Sequence, residues 1–159
     1  MNANFLLSNR FKNIGWMIFI PSVFLGILWL IFEFEFPILD LPAFALMVID
    51  NFNDEGIRFL VLTEDNYTNE IIGISLIIGG LLVAFSQENE EDEYIERVRM
   101  ISFVWAVKIN YIILFLTLLF LFNDVFLKVM MFNIFSVLLL FIIRFNLTIH
   151  SSKKALTNE

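Results

Sequence analysis

Cysteine is absent from the 159 residues of this chain, and histidine occurs only once. Without thiols the chain cannot form disulfides, use a thiolate in catalysis, or bind a metal or cluster through sulfur. The single histidine, His150, stands in a polar stretch, and the sequence offers it no partner for a paired acid and base. The composition therefore predicts a protein that is not an enzyme and that holds neither a metal nor a cofactor.

Helix-breaking residues are also scarce, with 3 Pro and 6 Gly against 20 Phe. Hydrophobic residues make up 59% of the chain, which is more than a soluble domain of this length could bury. A helix needs about 20 apolar residues to cross the hydrocarbon layer of a bilayer. Stretches close to that length fill much of the chain, and they are Ile14 to Phe32, Ile71 to Ser86, Met100 to Phe122 and Val125 to Ile143. The sequence therefore predicts a membrane protein.

We predict an all-α fold, a single membrane domain with four transmembrane helices. The helices are expected at about residues 14–32, 70–87, 91–122 and 125–144. A short loop region outside the cytoplasm, residues 33–69, would join the first two helices, and a cytoplasmic tail would occupy residues 145–159. The polar composition of the chain from Ser151 onward predicts disorder there.

Positive residues flank the predicted spans unevenly, and Lys and Arg near span ends tend to stay on the cytoplasmic side. Most of the ten positive residues share one side if both termini and the loop between the second and third spans are cytoplasmic, namely Arg10, Lys12, Arg97, Arg99, Arg144, Lys153 and Lys154. The opposite side would hold Arg58 and Lys128. The distribution therefore predicts a multi-pass protein with both termini in the cytoplasm.

The outer loop, residues 33–69, is acidic and contains Arg58 as its one positive residue. Its apolar run from Ala43 to Ile49 is too short to cross a bilayer, so it is either an interfacial helix or the small core of an external cap. The run from Ile57 to Leu62 is either a brief strand or an apolar patch under a turn. These alternatives remain open from the sequence alone.

The most ordered polar stretch is the predicted cytoplasmic hairpin between the second and third spans. Its acids come first and its bases follow, as expected for a helix whose dipole favours anions at the N-terminus. One interpretation is a docking surface for a protein partner, and the other is a solvated turn whose charges keep it out of the membrane. The candidate partner-binding residues are Glu90, Glu91, Asp92, Glu93, Arg97 and Arg99.

Lys108 is the clearest charge inside a predicted span, and charges there are expensive. Its side chain either reaches back to the interface or faces the interior of the helix bundle. The polar residues that it would meet in the interior are Asn110, Tyr111, Asn133 and Ser136. None of the four apolar stretches contains Asp or Glu, which weighs against a proton relay. We expect Asn133 to hydrogen-bond between helices.

Small residues mark the second span as the central packing helix, because they let helix backbones approach closely. They are spaced four apart in two pairs, Ser75 with Gly79 and Gly80 with Ala84. The contact that they predict is within the chain or between protomers.

The C-terminal half of the chain resembles a group of small four-span inner-membrane proteins of Bacteroidetes bacteria. The residues that carry the resemblance are Phe85-Ser86, Glu91-Asp92-Glu93, Arg97, Arg99, Phe103, Trp105-Ala106, Asn110-Tyr111, Phe132-Asn133 and Phe141 to Asn146. The resemblance implies the four-span architecture and a bacterial inner-membrane location. It does not point to any catalytic activity.

Two functions of different kinds follow from these patterns. The first is a binding or regulatory component that docks a partner through the cytoplasmic hairpin or the outer loop. The alternative is a small oligomeric transporter or channel that uses Lys108 and the polar residues of the last two helices. The expected partners are membrane lipid and another protein or a second copy of the chain. A net charge of −7 argues against nucleic acid, which requires clustered Lys and Arg.

Overall fold

A computed structural model describes residues 6–50, 56–89 and 91–157 of the chain. In order, the helices and strands are α1 (Asn9–Phe32), β1 (Asp40–Asp50), β2 (Gly56–Asn66), α2 (Thr68–Ala84), α3 (Glu93–Phe120) and α4 (Asn123–Thr157), with a short 3₁₀ turn at Pro37–Leu39 before β1. The chain forms two compact units, one of residues 24–74 and the other of the remaining residues on both sides of that segment.

Three of the helices are long and apolar enough to cross a membrane, namely α1, α3 and the part of α4 from Val125 to Ser152. Helix α2 is apolar but has 17 residues, a length of about 26 Å against a hydrocarbon layer of about 30 Å. These three helices confirm the predicted presence of apolar helices that could cross a membrane. The helices begin and end at residues that differ from the predicted ones, most of all in α4.

The larger unit is a helix bundle in which α3 and α4 form an antiparallel hairpin. They are joined by Leu121 and Phe122, and Asn123 at the start of α4 has a φ of 57°, a left-handed conformation that asparagine tolerates. The buried core of this unit takes residues from all four helices: Phe19, Leu76, Val83, Ala84, Ile95, Val98, Ala106, Phe141, Ile142, Phe145 and Ile149.

Helix α4 continues to Thr157, whereas the sequence predicted a separate tail from residue 145. The reason is an apolar stripe that extends past the predicted end of the span. Phe141, Phe145 and Ile149 follow one another at four-residue intervals and are all buried. Because this stripe packs on the core, the polar residues beyond it remain helical as far as residue 157.

The smaller unit contains an antiparallel β-hairpin, which the all-α prediction lacked. Its strands pair from Asp40 with Asn66 to Asp50 with Gly56. The register passes over Leu46 and Leu60, and Leu60 has a φ of 56°, so the ladder is irregular at that point. The run from Ala43 to Ile49 lies within β1 and is not an interfacial helix, while Ile57 to Leu62 lies within β2, in agreement with its predicted strand alternative.

The base of the β-hairpin is tied together where α2 begins. The Phe36 amide donates to the Thr68 hydroxyl at 3.0 Å, and the Asn66 side-chain amide donates to the Phe36 carbonyl at 2.9 Å. The Tyr67 amide donates to the Leu39 carbonyl at 3.1 Å. Thr68 is almost completely buried by these contacts. The base of the hairpin is therefore fixed to the first residue of α2.

Candidate functional site

Four chain segments meet at one end of the helix bundle. The Leu7 amide donates to the Phe85 carbonyl at 2.8 Å, and the Gln87 amide donates to the Leu7 carbonyl at 2.9 Å. Tyr94, in the first turn of α3, shares a hydrogen bond of 2.6 Å with Ser152, near the C-terminus of α4. The start of α1, the end of α2, the start of α3 and the end of α4 are therefore linked.

Acidic and basic side chains of these segments form ion pairs. We call the four residues involved the helix-end cluster; they are Lys12, Glu88, Glu91 and Arg99. Lys12 pairs with Glu88 at 2.5 Å, and the two side chains are 15% and 9% exposed. The Glu88 amide donates to a Glu91 carboxylate oxygen at 2.8 Å. The cluster thereby joins α1 to the loop between α2 and α3.

Arg99 is the hub of this cluster. One of its terminal nitrogens contacts both Glu91 carboxylate oxygens, at 3.0 and 3.2 Å, and the other donates to the Ala84 carbonyl at 2.8 Å. Its guanidinium lies 4.7 Å from the centre of the Phe145 ring, a distance at which a cation is attracted to an aromatic face. One side chain of α3 thus binds the loop, the end of α2 and α4.

Half of the six candidate partner-binding residues, Glu91, Asp92 and Arg99, are therefore used inside the chain. Asp92 caps α3, because its carboxylate accepts the Ile95 amide at 2.8 Å. Glu91 and Arg99 belong to the helix-end cluster. Glu93 and Arg97 are exposed, and Glu90 lies outside the described residues. Glu91, Asp92 and Arg99 therefore stabilise the fold, and Glu93 and Arg97 are the candidates that the described structure leaves exposed.

Lys108 is exposed on α3, whereas Asn110 is buried. Residues two apart on a helix point in nearly opposite directions, so the ammonium does not join the polar groups around Asn110. Tyr111 is also exposed. Of the two alternatives for Lys108, this position favours a side chain that reaches along the outside of the bundle towards the interface.

Asn110, Asn133 and Ser136 form a polar contact between α3 and α4. The two asparagine side chains exchange hydrogen bonds, of 3.2 Å from Asn133 to Asn110 and 3.4 Å in the other direction. The Ser136 hydroxyl lies within hydrogen-bond distance of two acceptors, the side-chain oxygen of Asn110 and the Asn133 backbone carbonyl at 2.9 Å, and it can donate its single proton to either. Asn133 therefore hydrogen-bonds between α4 and α3, as the sequence led us to expect. The three polar side chains therefore hydrogen-bond to one another between α3 and α4.

Glycines place α2 in close contact with its neighbours. A Cβ atom at Gly79 would lie 2.7 Å from the Phe19 backbone nitrogen of α1, and one at Gly80 would overlap the Leu138 side chain of α4. Gly15 of α1 makes the reciprocal contact, since its Cβ would lie 2.8 Å from the Val83 nitrogen. Ala84 is buried and Ser75 is half-buried. The sequence pattern found the glycines of α2 but missed Gly15, which has no small residue four positions away.

The β-hairpin exposes large apolar side chains on both of its faces. The most exposed are between 54% and 73% accessible, and they are Phe44, Leu46, Met47, Phe59, Leu60 and Leu62. Phe44 pairs with Leu62, while Met47 pairs with Phe59 on the other face. A two-stranded hairpin is at best marginally stable alone in water, so a surface of this kind is expected to be covered. The sequence did not predict this surface, because the run from Ala43 to Ile49 is short and could be either an interfacial helix or the core of a cap.

A groove of about 530 Å³ runs between α1 and α4. Its polar lining residues are Lys12, Glu88, Asn146 and His150. The apolar wall is formed by Trp16, Phe19, Ile142, Ile143, Leu147 and Ile149. The groove is open on its outer side, so it does not enclose a reaction centre.

The described residues bring together no three acidic or histidine side chains that could hold a metal ion. His150 is exposed, and its nearest charged groups in the groove are the paired Lys12 and Glu88. The lining of the groove therefore offers charged, polar and apolar side chains for binding.

Comparisons of the chain with family models, curated proteins and solved structures find no match. The resemblance to small inner-membrane proteins of Bacteroidetes therefore stays a prediction. The function must be inferred from the geometry of the chain alone.

Proposed function

We propose that this protein is a non-enzymatic component of a bacterial inner membrane that docks a protein partner through its β-hairpin. The observation that carries the proposal is the exposed apolar surface of the hairpin. The helix bundle would serve as the membrane anchor. The inner-membrane location rests on the resemblance to the Bacteroidetes group and on the apolar helices.

We infer four spans with both termini in the cytoplasm, so that α2 crosses together with the three longer helices. The contacts at the helix ends support this topology, because Leu7 meets Phe85 and Tyr94 meets Ser152. If α1, α3 and α4 cross the membrane and these ends lie together, α2 must cross as well. Its 17 residues are at the lower limit for a span. The β-hairpin would then lie outside the cytoplasm.

The hairpin is a better docking element than the loop between α2 and α3. Glu91 and Arg99 of that loop region pair with each other, and Asp92 caps α3, so their charges are already satisfied. By contrast, Phe44 and Leu62 are 60% and 73% exposed. Burial of an apolar side chain contributes about 1.5–3 kcal/mol, which makes the hairpin the surface that gains most from a partner.

Charge indicates what kind of surface the partner presents. The hairpin sequence from residue 40 to 66 contains a single base, Arg58, and its acids are Asp40, Asp50, Asp54, Glu55, Glu64 and Asp65. Such a charge would repel anionic lipid headgroups and oppose insertion into the bilayer. We therefore propose a partner protein with an apolar surface bordered by Lys or Arg, since complementary charge favours encounter and specificity.

Purification from native membranes tests the proposal. The double variant Phe44→Ser with Leu62→Ser removes apolar surface from one face of the hairpin and leaves its acids in place. If these residues are binding hot spots worth about 2 kcal/mol or more, the co-purifying partner should fall by at least about 30-fold. Quantitative mass spectrometry of the purified complexes measures this loss.

The matched control is the double variant Glu93→Gln with Arg97→Gln, which changes the exposed charges of the opposite candidate surface. It should retain the partner at the wild-type level. Loss of the same partner from this variant, with full retention by the hairpin variant, would move the docking site to the cytoplasmic loop. Equal retention by both variants would reject docking at either surface.

The transporter alternative gains nothing specific from the geometry. It requires Lys108 and the polar residues around Asn110 to share a pathway, yet one is exposed and the other is buried on nearly opposite faces of α3. The transporter alternative would be supported if the chain carried a flux into liposomes and Lys108→Met lowered that flux.

A further inference from the structure

We propose that the groove between α1 and α4 binds a phospholipid with a zwitterionic ethanolamine headgroup. This inference is independent of the hairpin and of any protein partner. It rests on the shape of the groove, its gradient of polarity and the charges at its polar end.

The groove changes from polar to apolar along α1. Lys12 is followed by Trp16 and Phe19, and seven residues of helix cover about 10 Å. On α4, the lining side chains from Ile142 to His150 cover about 12 Å and include the exposed apolar residues Ile143 and Leu147. A phospholipid has the same gradient over a similar distance, from its charged headgroup to the start of its acyl chains.

The volume of the groove suits part of a lipid. At about 530 Å³ it falls within the usual range for small-molecule sites of about 300–1,000 Å³, and its open side would let the rest of the lipid remain in the bilayer. Ile143 and Leu147 are among the exposed apolar residues and line the groove. An acyl chain lying against Ile143 and Leu147 would cover apolar surface that the chain itself leaves open.

The charges select a zwitterion over an anion. The polar end of the groove holds one cation, Lys12, and one anion, Glu88, which pair with each other, together with the side chains of Asn146 and His150. The Lys12 ammonium has further N–H donors for a phosphate, and the Glu88 carboxylate has a second oxygen for a headgroup ammonium. A purely anionic headgroup would meet Lys12 but would also be repelled by Glu88.

Native mass spectrometry of the full chain, released from nanodiscs of equal phosphatidylethanolamine and phosphatidylglycerol, tests this site. The wild-type chain should retain one phosphatidylethanolamine in preference to phosphatidylglycerol. Lys12→Gln and Glu88→Gln should each lower the retained fraction at least fivefold. Arg10→Gln is the matched control, because it removes an exposed cation at the same helix end that does not line the groove.

A second variant tests the apolar end without touching a charge. Ile143→Trp adds bulk at an exposed position on the wall of the groove and should exclude the lipid, while the helix content measured by circular dichroism stays unchanged. The proposal is overturned if phosphatidylglycerol is preferred, if Arg10→Gln loses as much lipid as Lys12→Gln, or if Ile143→Trp retains lipid at the wild-type level.

Discussion

Replacing glycines of the helices by alanine gives a quantitative test of the packing, because one added methyl group meets a different environment at each position. At Gly79 the new Cβ would lie 2.7 Å from the backbone nitrogen of Phe19. At Gly26 the nearest atom is a methyl carbon of Ile72 at 3.6 Å, an ordinary contact distance. Gly26→Ala is therefore a control with the same chemical change and no overlap.

The expected energies follow from two opposing effects. Alanine is favoured over glycine within a helix by about 1 kcal/mol. Overpacking typically costs about 1–3 kcal/mol, and at Gly79 the obstacle is backbone, which cannot turn aside as a side chain can. We expect Gly26→Ala to leave the free energy of unfolding unchanged or to raise it. The free energy of unfolding of Gly79→Ala should be about 1–3 kcal/mol lower than that of Gly26→Ala.

Reversible unfolding in detergent micelles, followed by far-ultraviolet circular dichroism during titration with sodium dodecyl sulfate, measures this difference. Gly15→Ala should behave like Gly79→Ala, because its Cβ would lie 2.8 Å from the Val83 backbone nitrogen. Equal stability of Gly79→Ala and Gly26→Ala would refute the close crossing of α1 and α2 at this point.

Three further predictions use the same assay. Arg99→Met should lower the free energy of unfolding by about 2–3 kcal/mol, between the values for exposed and fully buried ion pairs. Arg99→Lys should not restore stability, because an ammonium cannot reproduce the forked contacts of the guanidinium. An effect of Arg99→Met as small as that of the control Arg97→Gln would contradict the role of Arg99 as hub. Asn110→Ala and Asn133→Ala should be coupled by about 0.6–1.7 kcal/mol in a double-mutant cycle, and strict additivity would count against their hydrogen bonds. Lys108→Met should leave the bundle no less stable, because the side chain is exposed, and destabilisation beyond about 0.5 kcal/mol would show that Lys108 has an interior partner.

The helices could be predicted from the sequence because lipid imposes a simple rule on length and polarity. Their ends could not, since these depend on tertiary contacts. The stripe of Phe141, Phe145 and Ile149 extends α4 because the other helices of the bundle provide a core for it. Likewise, the approach of Gly15 to Val83 becomes visible only when α1 and α2 are placed together.

The polar residues divide in the same way. Hydrogen bonding of Asn133 between helices could be expected from the cost of a lone amide in a membrane. The pairing of Lys12 with Glu88 could not, because it joins residues 76 positions apart that share no local pattern. A strand at Ile57 to Leu62 was one of the predicted alternatives, but its pairing with β1 was not predicted, since the apolar residues of the hairpin face both sides of the ribbon and give no clear alternation.

The central claim is that four helices cross the membrane and place both termini on the cytoplasmic side. Because the chain lacks cysteine, single-cysteine variants have no background, and labelling of intact cells with a membrane-impermeant maleimide tests the topology directly. Ser8→Cys and Ser151→Cys should be labelled only after the membrane is opened, whereas Glu64→Cys on the hairpin should be labelled in intact cells. Labelling of either terminal variant in intact cells, with the other protected, would mean an odd number of spans and would contradict the account.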